Sequence, residues 1–255
     1  DGQVFLVTGA NTGIGLEASR VLAERGARVL LGCRSADKAT AAIASIRETA
    51  PEADLEHIAL DLGDLDSVRS AAELVNAESR LDGLVNNAGI MMPPLEHTVQ
   101  GFESQFGVNH LGPFALTALL LPVLMATKGA RVVNTSSVAH RGGDIDFNDI
   151  NAEQGYNRAK RYGQSKLANL LFSMELQRRL EAAESSVISV ACHPGIADTE
   201  LSRHMPGILK LTAPLVSKFF NTSVEGAWPT LMAATSDDVA GGDYFGPTKR
   251  GETAG

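Results

Sequence analysis

The feature that most constrains the fold of this chain is the regular alternation of short apolar runs with helix-like segments. Residues 4–7 form an apolar run of the length and pattern expected for a strand buried on both faces. A helical stretch follows from Gly13 to about Arg25, and Gly26 closes it where a left-handed residue commonly ends a helix. Strands that alternate with helices in this way predict a parallel sheet covered by helices on both faces.

The same alternation continues along the 255 residues. Further strands are predicted at residues 28–33, 55–60, 81–85, 130–135, 187–192 and, as a short last strand, 244–245. We therefore expect one doubly wound, Rossmann-type α/β domain over residues 1–255, with a mainly parallel sheet of about seven strands. Two long irregular stretches, 141–161 and 199–222, are expected to be loops that flank a substrate cleft.

Chemically distinctive residues follow the predicted carboxyl ends of the first six strands. They are Gly9, Arg34, Asp61, Asn87, Ser137 and Pro194. Ligands of doubly wound sheets bind outside the carboxyl ends of the strands, where the strand order reverses. The pattern therefore predicts that these residues share one site.

Composition and charge argue against several classes of protein. A formal net charge of -8, without a block of Lys or Arg, argues against binding to nucleic acid. Two cysteines, Cys33 and Cys192, are too few for a disulfide framework and are expected to be small buried hydrophobes. The six histidines lack the spacing of paired metal ligands, so no metal site is predicted.

A membrane span is not expected, because no 18-residue apolar stretch is free of charges and helix breakers. The longest candidate, residues 114–126, contains Pro122 and is too short to cross a bilayer. The default expectation is a cytoplasmic protein. The chain starts at Asp1 directly before a strand, so an anchor or targeting segment removed from the N-terminus stays an open alternative.

A glycine-rich turn and a basic residue together indicate a dinucleotide. Gly9, Gly13 and Gly15 lie between the first strand and the first helix, where glycines let a pyrophosphate approach the helix N-terminus. The alternative is a tight turn without a ligand. At the end of the second strand, where related sheets carry an acid, Cys33 is followed by Arg34. A guanidinium there suits a 2′-phosphate and favours NADP(H) over NAD(H), unless Arg34 is only a solvated residue at a helix start.

Tyr162 and Lys166 lie four residues apart, which places an acid/base group and an ammonium on one helix face. Tyr156 and Lys160 have the same spacing. The later pair is preferred because it leads into Leu167, Leu170, Leu171 and Met174, a spacing that predicts the buried stripe of a long helix. Tyr156 falls in the irregular stretch, so a surface position is expected for it.

Seven ordered motifs resemble the short-chain dehydrogenase/reductase family over nearly the whole chain. They are Thr8-Gly9-x-x-x-Gly13-x-Gly15, Asp61-Leu62, Asn86-Asn87-Ala88-Gly89, Asn109, Ser137, Tyr162-x-x-Ser165-Lys166 and Pro194-Gly195-x-x-x-Thr199. Within this family the chain resembles the retinol-dehydrogenase-like branch, through Ala10-Asn11-Thr12, Cys33-Arg34-Ser35 and Ser165-Lys166-Leu167-Ala168-Asn169.

This resemblance implies a role for each matching residue. Tyr162 is the general acid/base, and Lys166 tunes its pKa toward working pH and holds the nicotinamide ribose. Ser137, rather than the neighbouring Ser136, binds the substrate oxygen, and Asn109 positions a water that links Lys166 to solvent. The implied cofactor-binding residues, besides Tyr162 and Lys166, are Gly9, Asn11, Thr12, Gly13, Ile14, Gly15, Arg34, Asp61, Leu62, Asn87, Ala88, Gly89, Pro194, Gly195, Ile196 and Thr199.

The sequence therefore predicts an NADP(H)-dependent carbonyl reductase or alcohol dehydrogenase. The substrate is expected to be apolar, because residues 201–220 are rich in apolar side chains and Met91 and Met92 follow the Asn87 strand end. The alternative is that the apolar side chains of residues 201–220 pack on the core or on a second subunit of a homo-oligomer. Rival functions are a non-catalytic NADP-binding regulator, a sugar-nucleotide epimerase or dehydratase, and a light-dependent protochlorophyllide reductase relative.

Overall fold

The computed structural model describes residues 2–195 and 221–249. At its centre is a sheet of seven parallel strands in the order β3-β2-β1-β4-β5-β6-β7. The strands are β1 (Val4–Thr8), β2 (Arg28–Cys33), β3 (Leu55–Ala59), β4 (Gly83–Asn86), β5 (Arg131–Thr135), β6 (Ile188–Cys192) and β7 (Tyr244–Phe245). The order reverses between β1 and β4, which defines a doubly wound sheet and confirms the predicted fold.

Helices connect the strands and lie on both faces of the sheet. In the described residues they are α1 (Gly13–Glu24), α2 (Ala36–Arg47), α3 (Leu65–Asn76), α4 (Ser104–Phe106), α5 (Gly112–Ala126), α6 (Arg158–Ala182) and α7 (Ser223–Thr235). A π-helical turn (Gly107–Leu111) joins α4 to α5, and a 3-10 helix (Val138–Gly142) follows β5. The first expected loop, 141–161, is shorter than predicted because Asn157 caps α6 and Arg158 begins it.

In β1, alternate side chains enter two separate hydrophobic clusters. On β1, Val4 and Leu6 pack into the cluster formed with α3, α5 and α6, whereas Phe5 and Val7 pack into the cluster formed with α1, α2 and α7. All four side chains are buried. This double burial explains why residues 4–7 are continuously apolar rather than alternating.

One helix among the described residues is long and apolar enough to span a membrane, judged by length and composition alone. It runs from Ser104 to Ala126, so it comprises α4, the π-helical turn and α5, and 39% of its apolar window is buried. The expectation that this apolar segment is too short was wrong, because the helix starts well before Phe114 and continues through Pro122. Buried helices inside globular proteins meet the same criterion, so this is weak evidence for a span.

Candidate active site

The glycine loop between β1 and α1 packs too closely against the end of β4 to carry side chains. A Cβ atom on Gly9 would lie 3.1 Å from the Cα of Ala88, and the backbone φ of Gly9 is +68°. A Cβ on Gly15 would collide with the carbonyl oxygen of Gly9 and lie 2.6 Å from Nδ2 of Asn87. Thr12 precedes α1 without a side-chain cap, so the first-turn amides of this helix are available to an anion.

Thr8 holds the end of β1 against the segment that follows β4. Its hydroxyl oxygen accepts hydrogen bonds from the backbone amides of Asn87 and Ala88, both at 3.0 Å. The Nδ2 of Asn87 donates back to the carbonyl oxygen of Thr8 at 2.9 Å. Sequence reasoning gave Thr8 no role. The available signal in the sequence was a polar residue directly after an apolar strand, and the structure shows that this residue is fully buried.

A cleft of about 570 Å³ opens at this switch point. Twelve of the predicted cofactor-binding residues line it: Gly9, Asn11, Thr12, Gly13, Ile14, Gly15, Arg34, Asp61, Leu62, Asn87, Ala88 and Gly89. Its far wall is formed by residues that sequence reasoning did not assign to the cofactor, among them Ile90, Pro93, Thr98 and Val99. The carboxyl ends of β1 to β4 therefore converge on one cavity.

Arg34 lies at the mouth of this cleft with 71% of its side chain exposed. Its guanidinium Nη1 is 3.9 Å from Oδ2 of Asp61, which is too long for a strong ion pair. Ser35 caps α2 by accepting a hydrogen bond from the amide of Lys38, and both residues also line the cleft. Arg34 is therefore not committed to a strong internal contact and can meet an anionic ligand.

Ser137, Tyr162 and Lys166 come together where β5 meets α6. The Ser137 hydroxyl lies close enough to the Tyr162 phenol to lower its pKa, and Tyr162 is only 7% exposed. The ammonium of Lys166 donates to the carbonyl oxygen of Thr135 at 3.2 Å and lies 5.8 Å from the centroid of the Tyr162 ring. The predicted acid/base pair and the predicted serine thus form a single group, in which Tyr162 and Lys166 are buried and Ser137 is half-buried.

Burial is the largest influence on the pKa values of Tyr162 and Lys166. It raises the pKa of the Tyr162 phenol, and the hydrogen bond from Ser137 opposes that rise. Burial also lowers the pKa of Lys166 to about 8. Desolvation sets the direction of the Tyr162 pKa shift in this structure, and the lowering of that pKa by the Lys166 ammonium stays a prediction. At neutral pH Tyr162 is therefore a protonated phenol, able to donate.

Asn109 lies in the π-helical turn and joins three segments. Its Oδ1 accepts from the amide of Ile90 at 2.7 Å, and its Nδ2 donates to the carbonyl of Ile90 and to Oγ of Ser165. A Cβ on Gly89 would lie 3.1 Å from Oδ1 of Asn109 and 3.4 Å from Nζ of Lys166. Gly89 is thus the point where the cleft meets the buried acid/base group. The water-positioning role of Asn109 stays a prediction.

Ser136 and Tyr156, the alternatives to Ser137 and Tyr162, have other hydrogen-bond partners. Ser136 donates its hydroxyl hydrogen to the carbonyl oxygen of Lys166 at 2.8 Å, which commits it to holding α6. Tyr156 precedes α6, and its hydroxyl donates to the carbonyl oxygen of Pro93 and accepts from Nε2 of Gln105. Tyr156 is half-buried, so the expected surface position holds only in part, because contacts with residues distant in sequence cover part of its side chain.

The turn after β6 is described only as far as Gly195. Gly195 has a φ of +73°, and its amide donates to Nδ1 of the buried His193 at 3.3 Å. The carbonyl oxygen of Pro194 accepts from Nδ2 of Asn221 at 3.0 Å. The predicted contacts Ile196 and Thr199 lie outside the described residues, as does nearly all of the expected loop 199–222. Within residues 2–195 and 221–249, no cluster of His, Cys, Asp or Glu is suited to a metal ion.

A doubly wound parallel sheet with a glycine-lined cleft at its switch point defines a nucleotide-binding α/β protein. The sequence profile described as short chain dehydrogenase matches residues 3–206, and the chain belongs to this family. Members of the family are oxidoreductases that use nicotinamide cofactors.

Relatives and solved structures agree with this assignment. Retinol dehydrogenase 12 from Mus musculus is 45% identical over 252 residues, covering 98% of this chain and 79% of the relative. Retinol dehydrogenase 14 from Homo sapiens is 44% identical over 270 residues, covering 98% of this chain and 80% of the relative. A crystal structure of an uncharacterized protein from Mycobacterium paratuberculosis superimposes with a TM-score of 0.81 at 41% identity, covering 99% of this chain and 82% of that one.

Proposed function

We propose that this chain transfers a hydride between NADP(H) and an apolar aldehyde, ketone or alcohol, with Tyr162 as general acid/base. One observation carries the proposal: the buried Tyr162 and Lys166 and the half-buried Ser137 come together at the Gly89 end of a cleft lined by a glycine loop. A non-catalytic nucleotide-binding protein would have no need of a buried phenol and a buried ammonium next to a serine hydroxyl beside its cleft.

The residues of the cleft fit a dinucleotide phosphate. The close packing at Gly9 and Gly15 holds the glycine loop against the end of β4, and the uncapped first turn of α1 that follows the loop offers amide donors to a pyrophosphate. Arg34, exposed at the mouth of the cleft, is suited to a 2′-phosphate. No carboxylate stands at that position to bind the ribose hydroxyls of NAD(H), since Cys33 ends β2.

The chemistry follows from the protonation of the buried group. The bound nicotinamide supplies the hydride. Ser137 donates a hydrogen bond to the substrate carbonyl oxygen, and Tyr162 transfers its phenolic proton to that oxygen as the carbon is reduced, so the product is the alcohol. Lys166 stabilises the phenolate that forms, and a proton from solvent restores the phenol. Alcohol oxidation runs through the same residues in reverse, starting from the phenolate.

The apolar character of the proposed substrate has two supports. Ile90, Met91 and Pro93 form an apolar wall of the cleft beyond Gly89. The similar proteins named retinol dehydrogenases are named for an apolar substrate. The apolar segment at residues 201–220 lies outside the described residues, and its role over the cleft stays a prediction.

A series of straight-chain aldehydes of increasing length, assayed with NADPH and with NADH, tests the proposal. We expect kcat/KM with NADPH to rise with chain length until the pocket is full, since each buried methylene contributes up to about 0.8 kcal/mol. A flat series, or a preference for short carboxylated substrates, would contradict the apolar site. Absence of turnover with every aldehyde and alcohol would contradict the proposed activity itself.

A further inference from the structure

The second Tyr-x-x-x-Lys string has no part in the proposed chemistry, yet Tyr156 belongs to a hydrogen-bond network centred on the buried Gln105. Gln105 lies in α4 with no exposed side-chain surface. Its Oε1 accepts from the amide of Met92 at 2.9 Å, and its Nε2 donates to the Tyr156 hydroxyl at 3.0 Å and to the carbonyl of Arg158 at 3.1 Å. The amide orientation is unambiguous, because a backbone amide only donates and a carbonyl only accepts.

The Tyr156 hydroxyl completes the network by acting as both acceptor and donor. It accepts from Gln105 and donates to the carbonyl oxygen of Pro93 at 3.0 Å. The Gln105 amide therefore fills both of its N–H positions and one acceptor position within the protein. A buried network with its polar atoms paired in this way is rigid, and loss of one member leaves buried groups unpaired.

The segment that this network holds, residues 90–93, is the apolar wall of the cleft. Met92 has a φ of +53°, a left-handed conformation that is strained for a side chain of this kind. Its neighbours Met91 and Pro93 line the cleft. Such a conformation persists only where surrounding contacts impose it, and the bonds from Gln105 and Tyr156 to Met92 and Pro93 supply those contacts.

The same network reaches the helix that carries Tyr162. Arg158, whose carbonyl Gln105 binds, is the first residue of α6. Four residues after Gln105, Asn109 makes an equivalent bridge, since it binds both backbone groups of Ile90 and the Ser165 hydroxyl of α6. Two amides at helical spacing thus tie the 90–93 wall to α6 at two points.

We propose that Tyr156 and Gln105 are positioning residues that determine substrate specificity. By fixing the 90–93 wall relative to α6, they set the space between that wall and the Tyr162 hydroxyl, and so the length of apolar carbonyl compound that the site favours. The inference rests on the proposed function for its substrate class. Removal of the Tyr156 hydroxyl deprives Pro93 and Gln105 of partners, and the strained turn at Met92 then relaxes. Long substrates, which contact the wall, lose more than short ones.

The test is the ratio of kcat/KM for a ten-carbon aldehyde to that for a three-carbon aldehyde, measured in Tyr156→Phe. The ratio is insensitive to the fraction of folded enzyme, so a purely structural defect does not move it. We expect it to fall about tenfold, the effect of one net hydrogen bond. The control is Thr127→Val at the amino ends of β4 and β5, where the buried hydroxyl accepts from the amide of Leu81 and donates to the carbonyl oxygen of Val123. The ratio should stay at its wild-type value in this control.

A second measurement separates the inference from the proposed function. Hydrogen exchange of the peptide covering residues 89–95, followed by mass spectrometry, needs no substrate. Exchange should accelerate about tenfold in Tyr156→Phe and not in Thr127→Val. Unchanged exchange in Tyr156→Phe, or an unchanged aldehyde ratio, would overturn the inference while leaving the proposed function intact. A wild-type enzyme that reduces no aldehyde would overturn the proposed function, and the exchange result would still show whether the wall depends on Tyr156.

Discussion

Replacement of Arg34 by alanine should weaken NADPH binding by about ten- to hundredfold and leave NADH binding nearly unchanged. The magnitude follows from the exposure of Arg34 and its long 3.9 Å contact with Asp61, which make its loss of little consequence for folding. The proposed bonds to a 2′-phosphate are charge-assisted and contribute roughly 1.5–3 kcal/mol, which corresponds to that range of dissociation constants. NADH has no 2′-phosphate, so its binding affinity should not depend on Arg34.

Calorimetric titration of both cofactors at two ionic strengths measures this effect. Wild-type affinity for NADPH should fall with added salt more than affinity for NADH does, and Arg34→Ala should remove the difference. Arg47→Ala is the matched control, because Arg47 is an exposed residue of the same helix region that does not line the cleft. Equal losses for both cofactors, or no loss for NADPH, would refute the assignment of Arg34 to the phosphate.

Two further predictions follow from the packing and burial of the site. Gly15→Ala should weaken the binding of NADPH and of NADH alike by roughly tenfold or more. The added Cβ would displace the Gly9 carbonyl or Asn87, at an overpacking cost of about 1–3 kcal/mol. Unchanged affinities in calorimetric titration would contradict this prediction. Lys166 has a pKa lowered from 10.5 to about 8, so between these values the unfolded chain binds a proton that the folded chain does not. Urea unfolding should show wild type gaining about 3 kcal/mol relative to Lys166→Met as pH rises from 8 to 10.5, and a flat difference would count against the burial of Lys166.

The fold was predictable because hydrophobic periodicity reports burial directly. Residues 4–7 are apolar on both faces, and the structure buries both faces between helices. The strand ends followed from the same pattern, and with them the convergence of Gly9, Asp61 and Asn87 on one cleft. The order of the strands was not predicted, because the alternation of elements and the handedness of their connections are compatible with more than one doubly wound order.

Contacts between segments distant in sequence were not predictable in the same way. The bonds from Thr8 to Asn87 and from Gln105 to Tyr156 depend on the register of side chains across separate elements, which periodicity does not encode. The stripe proposed for α6 was also wrong in detail, since Leu171 and Met174 are exposed. Polar side chains, including Asn169 and Gln177, occupy part of the buried face of that helix. The spacing of apolar residues does not identify buried polar residues, so this part of the face was not predicted.

The central claim is that Tyr162 supplies the proton for hydride transfer. The most direct measurement is the steady-state rate of NADPH oxidation with an apolar aldehyde in Tyr162→Phe. The NADPH affinity of the same variant is measured beside it. Thr127→Val is the control, because it keeps the Ser137 and Tyr162 hydroxyls. Loss of a general acid typically lowers the rate by about a hundred- to ten-thousandfold, and we predict a loss in that range with NADPH affinity nearly intact. A Tyr162→Phe enzyme that turns over at the wild-type rate, while Thr127→Val does the same, would contradict the account.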